Sequence, residues 1–265
     1  MDDVSGCEKL HFNNDYRSKM NGMQETRYVH AGQAQCLFDK IAGEAGGKGM
    51  LLNASKTTLL CVSAARTFKP VSYVELGGGD FVVSGKQMKL LGFHFDSNPS
   101  PGAHVRSILK KVRYRTWIIY HLKRLGLSPL ALINVYCSLI RPCFDYASVV
   151  YHSMLTASQS EILERQQKKI LRVIYGWEVS YKDALVRAKI ERLDHRRQGL
   201  VERFVLRLSS NPRFSDWLPQ NDSGTYELRR TKKYQELPFR TERLRRAPLY
   251  SFRRVLNFLE EENVR

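Results

Sequence analysis

Apolar positions near the start of the chain follow a helical period. Between Ala31 and Ala42 they recur at spacings of three and four, which predicts a helix over residues 15–48. Several glycines from Gly46 to Gly49 are expected to end this helix, since glycine adopts the left-handed conformation common at helix ends. The polar residues 53–56 then predict a turn before a β-rich run at residues 57–63, which is predicted to be a strand.

The next segment carries turn signals followed by strand-like runs. Residues 66–80 contain Pro70 and a Gly-Gly-Gly-Asp sequence, which together predict a loop. Residues 81–84 and 86–95 are predicted to be two strands that form a hairpin around Gly85. The first 98 residues are therefore expected to form a small α/β piece.

After the break at residues 98–102, which contains two prolines, the apolar period is helical throughout. Five helices are predicted: residues 103–125, 128–152, 157–175, 180–208 and 249–262. Thr156 or Ser158 is expected to cap the third helix, and residues 219–248 are expected to be irregular. The fold class that follows is α+β, an α/β segment followed by a mainly α-helical one.

Charge divides the chain at about the same place. Residues 1–80 carry nine basic and nine acidic residues, whereas residues 81–265 carry 34 basic and 17 acidic ones, which accounts for the whole net charge of +17. A domain boundary near residues 80–100 is the simplest explanation. A concentrated positive charge favours an anionic partner, with nucleic acid the first candidate and an acidic membrane surface the second.

Cysteine usage and the apolar segments indicate a compartment. The five cysteines are odd in number and lack the short spacings of a zinc site, which predicts free thiols in a reducing environment. Asp2 and Asp3 stand where a signal peptide would have basic residues. The apolar stretch 127–155 contains Arg141 and Asp145 and is too polar to span a bilayer. We expect an intracellular protein of the nucleus or cytoplasm, with no membrane partner and an oligomeric state that the sequence leaves open.

Three sets of residues have candidate chemistry. Adjacent carboxylates such as Asp2 and Asp3 can bind Mg²⁺ for phosphoryl transfer, and the alternative is a solvated chain end. Lys56, between a helix and a strand, can face a phosphate or be an ordinary surface lysine. Gly92 in a strand permits close backbone approach, while His94 beside it is expected to be structural.

The order of these features resembles the late palm and thumb of reverse transcriptases, and most closely those of non-LTR (LINE-type) retrotransposons. The resemblance rests on Asp2-Asp3, on Gly49-x-x-x-Asn53-x-x-Lys56-Thr57, on Leu91-Gly92-Phe93 and on the basic helices that follow. It extends through further motifs: Ile140-Arg141-Pro142, Phe144-Asp145-Tyr146-Ala147, Gln166-x-Lys168-Lys169, Ile174-Tyr175-Gly176 and the closing Phe252–Leu259 segment. The family's organisation implies three domains: a palm remnant at residues 1–98, a thumb-like region at 99–176 and a basic helical extension at 177–265.

The resemblance implies roles for individual residues. Asp2 would be the metal-binding catalytic carboxylate with Asp3 as its partner, and Lys56 would lie near the phosphates of the incoming deoxynucleotide. Leu91, Gly92 and Phe93 would form the hairpin that grips the primer end. The family's fingers, its early palm and its first catalytic aspartate have no counterpart here. The intact parent would copy RNA with Mg²⁺, and we expect this chain to be inactive alone, which leaves open whether it is an enzyme.

The first basic helix is the candidate nucleic-acid contact. Within residues 103–125 the cations are interleaved with Tyr114, Trp117 and Tyr120, and no acidic residue occurs. The cations are Arg106, Lys110, Lys111, Arg113, Arg115, Lys123 and Arg124. Such a face can follow an RNA template or an RNA–DNA or DNA duplex, and the alternative is a solvated charged face.

Two further basic segments have weaker implications. The charges of residues 180–208 are expected to form pairs within one helix, and the cluster from Arg229 to Arg246 is a candidate nuclear-localisation or RNA-contact patch. The alternative to a reverse-transcriptase fragment is a non-enzymatic helical protein that binds nucleic acid. A helical module for an acidic protein or membrane is a third possibility.

Overall fold

The computed structural model describes residues 28–30, 32–62, 71–77, 80–98, 100–220, 232–239 and 241–263. The chain divides into two compact units, Met1–Pro99 and Ser100–Arg265. The first combines helix and strands, whereas the described part of the second is helical apart from one isolated bridge between Gln220 and Tyr234. The predicted α+β class is confirmed.

The first unit contains one helix, a short 3₁₀ turn and six strands in its described part. They are β1 (Tyr28–His30), α1 (Gly32–Gly47), the 3₁₀ turn Ala54–Lys56, β2 (Leu59–Leu60), β3 (Val71–Gly77), β4 (Asp80–Gly85), β5 (Gln87–Leu90) and β6 (Phe93–Asp96). The order β1-β3-β4-β2 forms one sheet, in which β3 and β4 are antiparallel while β1 and β2 each pair in parallel. Strands β5 and β6 form a separate antiparallel hairpin.

In the described part of the first unit, the Gln35 side chain of helix α1 is hydrogen-bonded to the sheet. The Gln35 amide nitrogen donates to the Glu75 carbonyl at 2.9 Å, and the Glu75 backbone N–H donates to the Gln35 amide oxygen at 2.8 Å. This reciprocal pair satisfies both backbone groups of one β3 residue. Gly49, with φ +71°, follows the helix, as the glycine-rich sequence predicted.

Three predictions for the first unit are wrong. Residues 28–30, expected to belong to the helix over residues 15–48, form strand β1, while residues 15–27 lie outside the described residues. The helical period of apolar residues starts only at Ala31, and the aromatic and β-branched residues Tyr28 and Val29 favour a strand.

Residues 71–77, expected to lie in a loop, form strand β3, which pairs in an antiparallel direction with β4. The second hairpin turns at Leu91 and Gly92 instead of at Gly85. Leu91 and Gly92 both have positive φ (47° and 80°), as a two-residue hairpin turn with right-handed strand twist requires. The sequence did not predict this turn, because Leu91 occupies a position of positive φ where Gly or Asn is usual.

The second unit is a set of packed helices. In its described part these are α2 (Gly102–Arg124), α3 (Pro129–Val135), a π-helical segment (Tyr136–Ile140), α4 (Arg141–Asp145), α5 (Ser148–Tyr151), α6 (Ala157–Tyr175), α7 (Tyr181–Ala188), α8 (Leu193–Ser209), a 3₁₀ turn (Pro212–Trp217), α9 (Glu242–Arg245) and α10 (Pro248–Asn263). None of the described helices is both long enough and apolar enough to cross a bilayer.

Side-chain caps explain where several helices begin. Thr156 and Gln159 form a capping box at the start of α6, which confirms Thr156 as the predicted cap. Ser128 caps α3, whose first residue is Pro129, and Ser180 caps α7. Each cap stabilises its helix by about 1 kcal/mol, because it satisfies a backbone N–H that has no partner within the helix.

Two of the predicted helices are broken. The segment 128–152 contains a π-helical turn before Pro142 and ends its regular course at Ala147, which has φ +55°. Pro142 lacks the N–H that a continuous helix needs, so the turn before it widens. The segment 180–208 is divided at Lys189, which has φ +51°, into α7 and α8.

Helices α2 and α6 lie side by side and run in the same direction. Near their starts, a Cβ built on Gly102 would lie 3.7 Å from the Gln159 side-chain nitrogen. Near their ends, Lys123 Nζ lies 2.6 Å from the Val173 carbonyl oxygen. The start of α2 therefore lies beside the start of α6, and the two ends likewise lie together.

The core of the second unit is continuous across the boundary predicted at residue 176. Its fully buried side chains include Tyr136, Phe144, Ile119, Leu163, Ile170 and Leu193. A second cluster joins α8 to α10 through Val201, Val205, Leu208, Leu218, Tyr234, Phe252 and Leu256. Burying each large apolar side chain stabilises the fold by about 1.5–3 kcal/mol. The division of this unit into a thumb-like region and an extension stays a prediction.

Candidate nucleic-acid interface

Helix α2 presents one exposed row of basic and aromatic side chains. Their spacings of four and three place them along a single face. The row, here called the α2 stripe, consists of Arg106, Lys110, Arg113, Trp117, Tyr120 and Arg124, all exposed. From Arg106 to Arg124 the helix rises about 27 Å, since each residue adds about 1.5 Å. The stripe therefore combines cations for phosphates with aromatic surface for bases or sugars.

The opposite face of α2 holds the stripe in place. Val105, Ile108, Val112 and Ile119 are buried in the core, so the helix cannot rotate to hide its charges. No acidic residue occurs between Asp96 and Asp145 in the sequence, so α2 itself and the segments that adjoin it along the chain supply no carboxylate to neutralise the stripe. An unbalanced positive face of this kind attracts polyanions.

Two cations predicted for nucleic acid point to the protein instead. Arg115 is half-buried, and its guanidinium donates to the Leu139 carbonyl and to the Cys143 sulfur. Lys123 Nζ donates to the carbonyls of Val173 at 2.6 Å and Ile174 at 3.2 Å, in the last turn of α6. Both cations stabilise helix packing. The sequence showed their charge and not the carbonyl groups within their reach.

Lys111 lies on the side of α2 that faces Cys143, away from the α2 stripe. Burial raises the pKa of the Cys143 thiol, while Arg115 and Lys111 act in the opposite direction. The net rise keeps this thiol protonated, so it behaves as a weak donor and not as a nucleophile. Lys111 is itself exposed. Of the seven cations predicted for nucleic acid, Arg106, Lys110, Arg113 and Arg124 remain together on one face.

The candidate residues of the first unit are less closely grouped. Lys56 is exposed on a 3₁₀ turn, where its backbone N–H donates to the carbonyl and side-chain oxygens of Asn53. Leu91 and Gly92 form the β5–β6 turn, Leu91 is 85% exposed, and Phe93 packs its ring 4.7 Å from that of Phe95. The roles of these residues stay predictions.

Asp2 and Asp3 lie outside the described residues. Within the described ranges, no group of three or more His, Cys, Asp or Glu side chains lies close enough together to hold a metal ion. The Mg²⁺ site therefore stays a prediction that rests on Asp2 and Asp3.

Sequence analysis missed a buried polar cluster that fixes α6. Glu164 accepts hydrogen bonds from the Tyr181 hydroxyl and, at 3.1 Å, from the Leu193 backbone N–H. Gln167 accepts from the Tyr136 hydroxyl and donates to Tyr181 at 3.0 Å. Burial raises the pKa of the Tyr136 hydroxyl, and burial followed by the bond to Glu164 raises that of Tyr181. The cluster joins α6 to three neighbouring segments, and only the unusual position of Glu164 among apolar residues hinted at it.

The charges of residues 180–208 are paired differently from the prediction. The Arg196 guanidinium forms a bidentate salt bridge with the Asp145 carboxylate of α4, with N–O distances of 2.8–2.9 Å. Arg197 is fully buried and donates to Ser160 of α6 at 3.0 Å. These contacts join different helices, so the expected pairing within one helix is wrong for Arg196 and Arg197.

The C-terminal basic cluster is partly neutralised. Lys232 pairs with Glu236, and Lys233 with Glu260, each at 2.7 Å. Arg245 and Arg246 both pair with Glu242. Arg229, Arg230 and Arg240 lie outside the described residues. The patch therefore has fewer free cations in its described part than its sequence indicates.

With this geometry in place, comparison with known proteins adds one relationship. No protein-family model and no solved structure matches this chain. It is similar to a retrotransposon polymerase. The chain is 27% identical over 130 residues to the RNA-directed DNA polymerase from mobile element jockey of Drosophila melanogaster. The match covers 47% of this chain and 14% of that protein. This similarity supports a reverse-transcriptase-like relationship.

Proposed function

We propose that the chain is a C-terminal fragment of a non-LTR retrotransposon reverse transcriptase, containing the end of the palm, the thumb and a C-terminal extension. In this proposal the helical unit binds the RNA template and the RNA–DNA or DNA duplex. The α2 stripe is the observation that carries the proposal. The similarity to the jockey polymerase supports the same class of parent enzyme.

The small core of the first unit, in its described part, supports the proposal that the chain is a fragment of a larger protein. Its described residues bury three hydrophobic side chains, Ala45, Val74 and Phe93. Nine large ones are exposed: Leu37, Ile41, Met50, Leu51, Leu52, Val62, Phe81, Leu90 and Leu91. Such an apolar surface favours association with further protein. We propose that the fingers and early palm of the parent cover it, and that the isolated chain is inactive without them.

The catalytic part of the proposal concerns the intact parent. Asp2 and Asp3 would bind Mg²⁺ there, Lys56 would lie near the phosphates of the deoxynucleotide, and the Leu91–Phe93 turn would contact the primer end. Magnesium would activate the attacking oxygen and stabilise the leaving oxygen. An intracellular location, in the nucleus or cytoplasm, belongs to the same proposal.

A salt titration tests the nucleic-acid contact. If Arg106, Lys110, Arg113 and Arg124 each meet one phosphate, log K should fall with log salt at a slope of about −3.6 from the stripe alone. That slope corresponds to about 150-fold weaker binding between 50 and 200 mM salt. We would measure the anisotropy of a labelled RNA–DNA duplex at four salt concentrations.

Two matched triple variants separate the stripe from net charge. The first replaces Arg106, Lys110 and Arg113 with alanine and should make the slope shallower by about 2.7. The control makes the same charge change at three exposed cations elsewhere, Lys182, Arg187 and Arg207, and should change the slope by less than about one. Equal effects of the two variants would show that only net charge matters and would refute an interface at α2.

Primer extension tests the catalytic part. The purified chain, with Mg²⁺, an RNA template and a DNA primer, is expected to bind without extending the primer. Extension that is lost in Asp2→Ala would overturn the claim that the fragment is inactive. The alternative, a non-enzymatic helical protein that binds nucleic acid, predicts the same binding but no extension after the missing fingers and palm are supplied as a separate chain.

A further inference from the structure

A second basic surface lies on α6, outside the α2 stripe. Its cations are Lys168, Lys169 and Arg172, and none of them has a carboxylate partner in the described part of the chain. Of the two acidic residues of this helix, Glu161 lies on this surface and Glu164 does not. Glu161 pairs with Arg165 at 3.1 Å, and Glu164 is buried in the polar cluster. Four cations and one carboxylate therefore line this surface, which leaves it a net charge of +3.

An exposed tryptophan stands at the end of the same helix. Trp177 is 80% exposed, and the Arg172 guanidinium lies 4.9 Å from the centre of its ring. A guanidinium at this distance interacts with an aromatic ring through the cation–π effect. Because so much of the ring is exposed, a surface opposite the guanidinium is open to a second planar group. Exposing an indole to water is unfavourable, which suggests that it meets a partner.

The backbone around Trp177 is well defined. Gly176 has φ +95°, a conformation that side-chain-bearing residues rarely adopt, so the chain turns at the end of α6 immediately before Trp177. Lys123 of α2 holds the preceding carbonyls of Val173 and Ile174. The tryptophan thus lies two residues beyond the end of α6, which Lys123 bonds to α2.

These side chains line one groove, here called the α6 groove. Its volume is about 530 Å³, and it is lined by Glu161, Arg165, Lys168, Lys169, Arg172, Val173 and Trp177. This size falls within the range of about 300–1,000 Å³ that is common for small-ligand sites. The groove has cations along its length and an aromatic plane at its end.

We propose that the α6 groove binds an unpaired nucleotide of single-stranded nucleic acid, with the base stacked on Trp177 and the phosphates held by Lys168, Lys169 and Arg172. Aromatic stacking combined with a basic groove is how proteins bind single strands without reading sequence. Bases inside a duplex are already stacked on their neighbours, so the groove discriminates against duplex. This site rests on the proposed nucleic-acid function and adds a separate contact, for a strand before or after it pairs.

The test uses the full chain with Trp117 and Trp217 replaced by phenylalanine, so that Trp177 is the sole tryptophan. Single-stranded ten-nucleotide probes of RNA and of DNA are titrated, and the fluorescence of Trp177 is recorded. Stacking of a base should quench it. In the native background, Trp177→Ala should weaken single-strand binding about 5- to 150-fold, which corresponds to about 1–3 kcal/mol for one stacked base. Trp177→Phe should retain most of the affinity, while binding of a blunt duplex should change less than about twofold.

The outcomes separate this site from the α2 stripe. If duplex binds but a single strand does not quench Trp177, the groove is not a nucleotide site and the proposed function stands. If neither binds, both proposals fail. Equal loss of duplex and single-strand affinity in Trp177→Ala would also overturn the groove, and so would equal quenching by a poly-glutamate peptide, which would assign it to an acidic protein segment. The alanine triple at Arg106, Lys110 and Arg113 should weaken duplex binding and preserve the quenching.

Discussion

Glu164 offers a sharp test of what holds the helical unit together. Its carboxylate is buried, and its two oxygens accept from different elements: the Tyr181 hydroxyl at the start of α7 and the Leu193 backbone N–H at the start of α8. The Arg192 guanidinium lies 3.9 Å away. A buried carboxylate is tolerated only where such donors replace water. Glu164 therefore joins α6, its own helix, to the starts of α7 and α8.

The Glu164→Gln substitution keeps the shape and changes the chemistry. A glutamine offers one acceptor oxygen, and its NH₂ group cannot accept a hydrogen bond. One of the two native donors loses its acceptor, and Leu193 N–H has no rotational freedom to find another. Hydrogen bonds to charged groups contribute about 1.5–3 kcal/mol each, so we expect a loss of about 2 kcal/mol. Glu164→Ala removes both acceptors and should cost about 3–4 kcal/mol, including the packing of the lost side chain.

Urea unfolding followed by tryptophan fluorescence measures this loss. All three tryptophans lie in the helical unit, so the signal reports that unit and not the first one. With a denaturant slope of about 2 kcal/mol per M, the Glu164→Gln midpoint should fall by about 1 M. Glu161→Gln is the matched control, since Glu161 is one turn earlier on α6 and its pair with Arg165 is exposed. It should change stability by less than about 0.5 kcal/mol. A Glu164→Gln shift no larger than the control's would refute the role assigned to the cluster.

Three further predictions follow from single contacts. Lys123→Met should lower the free energy of unfolding of the helical unit by about 1 kcal/mol, measured in urea, because its bonds to two carbonyls are lost. The salt slope of duplex binding should not change; a shallower slope would show that Lys123 contacts the nucleic acid. Asp145→Asn should cost about 1–2 kcal/mol, and a double-mutant cycle with Arg196→Ala should give a coupling of about 1 kcal/mol or more; zero coupling would contradict the pairing. Burial, and after it the charge of Arg197, lowers the pKa of His152 in the folded chain. As pH falls, the His152 imidazole is therefore protonated in the unfolded chain before it is protonated in the folded one, and stability should decrease below about pH 6.5. His152→Gln should flatten that part of the urea-midpoint profile, and an unchanged profile would assign the pH dependence to other groups.

The long helices were predictable from the sequence for a simple reason. In α2, α6 and α10 the apolar period runs without interruption, and a strong cap such as Thr156 marks a start. Propensity, periodicity and capping agree there, and tertiary contacts only reinforce them. The α2 stripe was predictable as well, because the spacing of exposed cations depends on the helix alone.

The helix breaks were not predictable in the same way. Ala147 and Lys189 have positive φ without being glycine or asparagine, and apolar residues on both sides continue the helical period. Tertiary packing imposes these conformations, for example through the bond from the Tyr151 hydroxyl to the Phe144 carbonyl across the first break. Pro142 was the one local signal, and it marks the π-helical turn before it.

The cations that point into the protein show how far the candidate site could be predicted from the sequence. A helical wheel gives the direction of Arg115 and Lys123 from α2 but not the carbonyl groups that approach from the π-helical segment or from α6. Long flexible side chains reach several directions from one backbone position, so their partners depend on neighbouring helices. Charge count alone therefore overstated the interface.

The parallel course of α2 and α6 has an electrostatic consequence. Each helix carries a macrodipole whose C-terminal end is equivalent to about half a negative charge, and two parallel helices bring these ends together. Lys123 places an ammonium group between them, on the carbonyls of Val173 and Ile174. The positive charge of Lys123 thus offsets the repulsion between the C-terminal ends of the two dipoles. The electrostatic field that attracts a polyanion to the α2 stripe therefore arises from the other cations of α2.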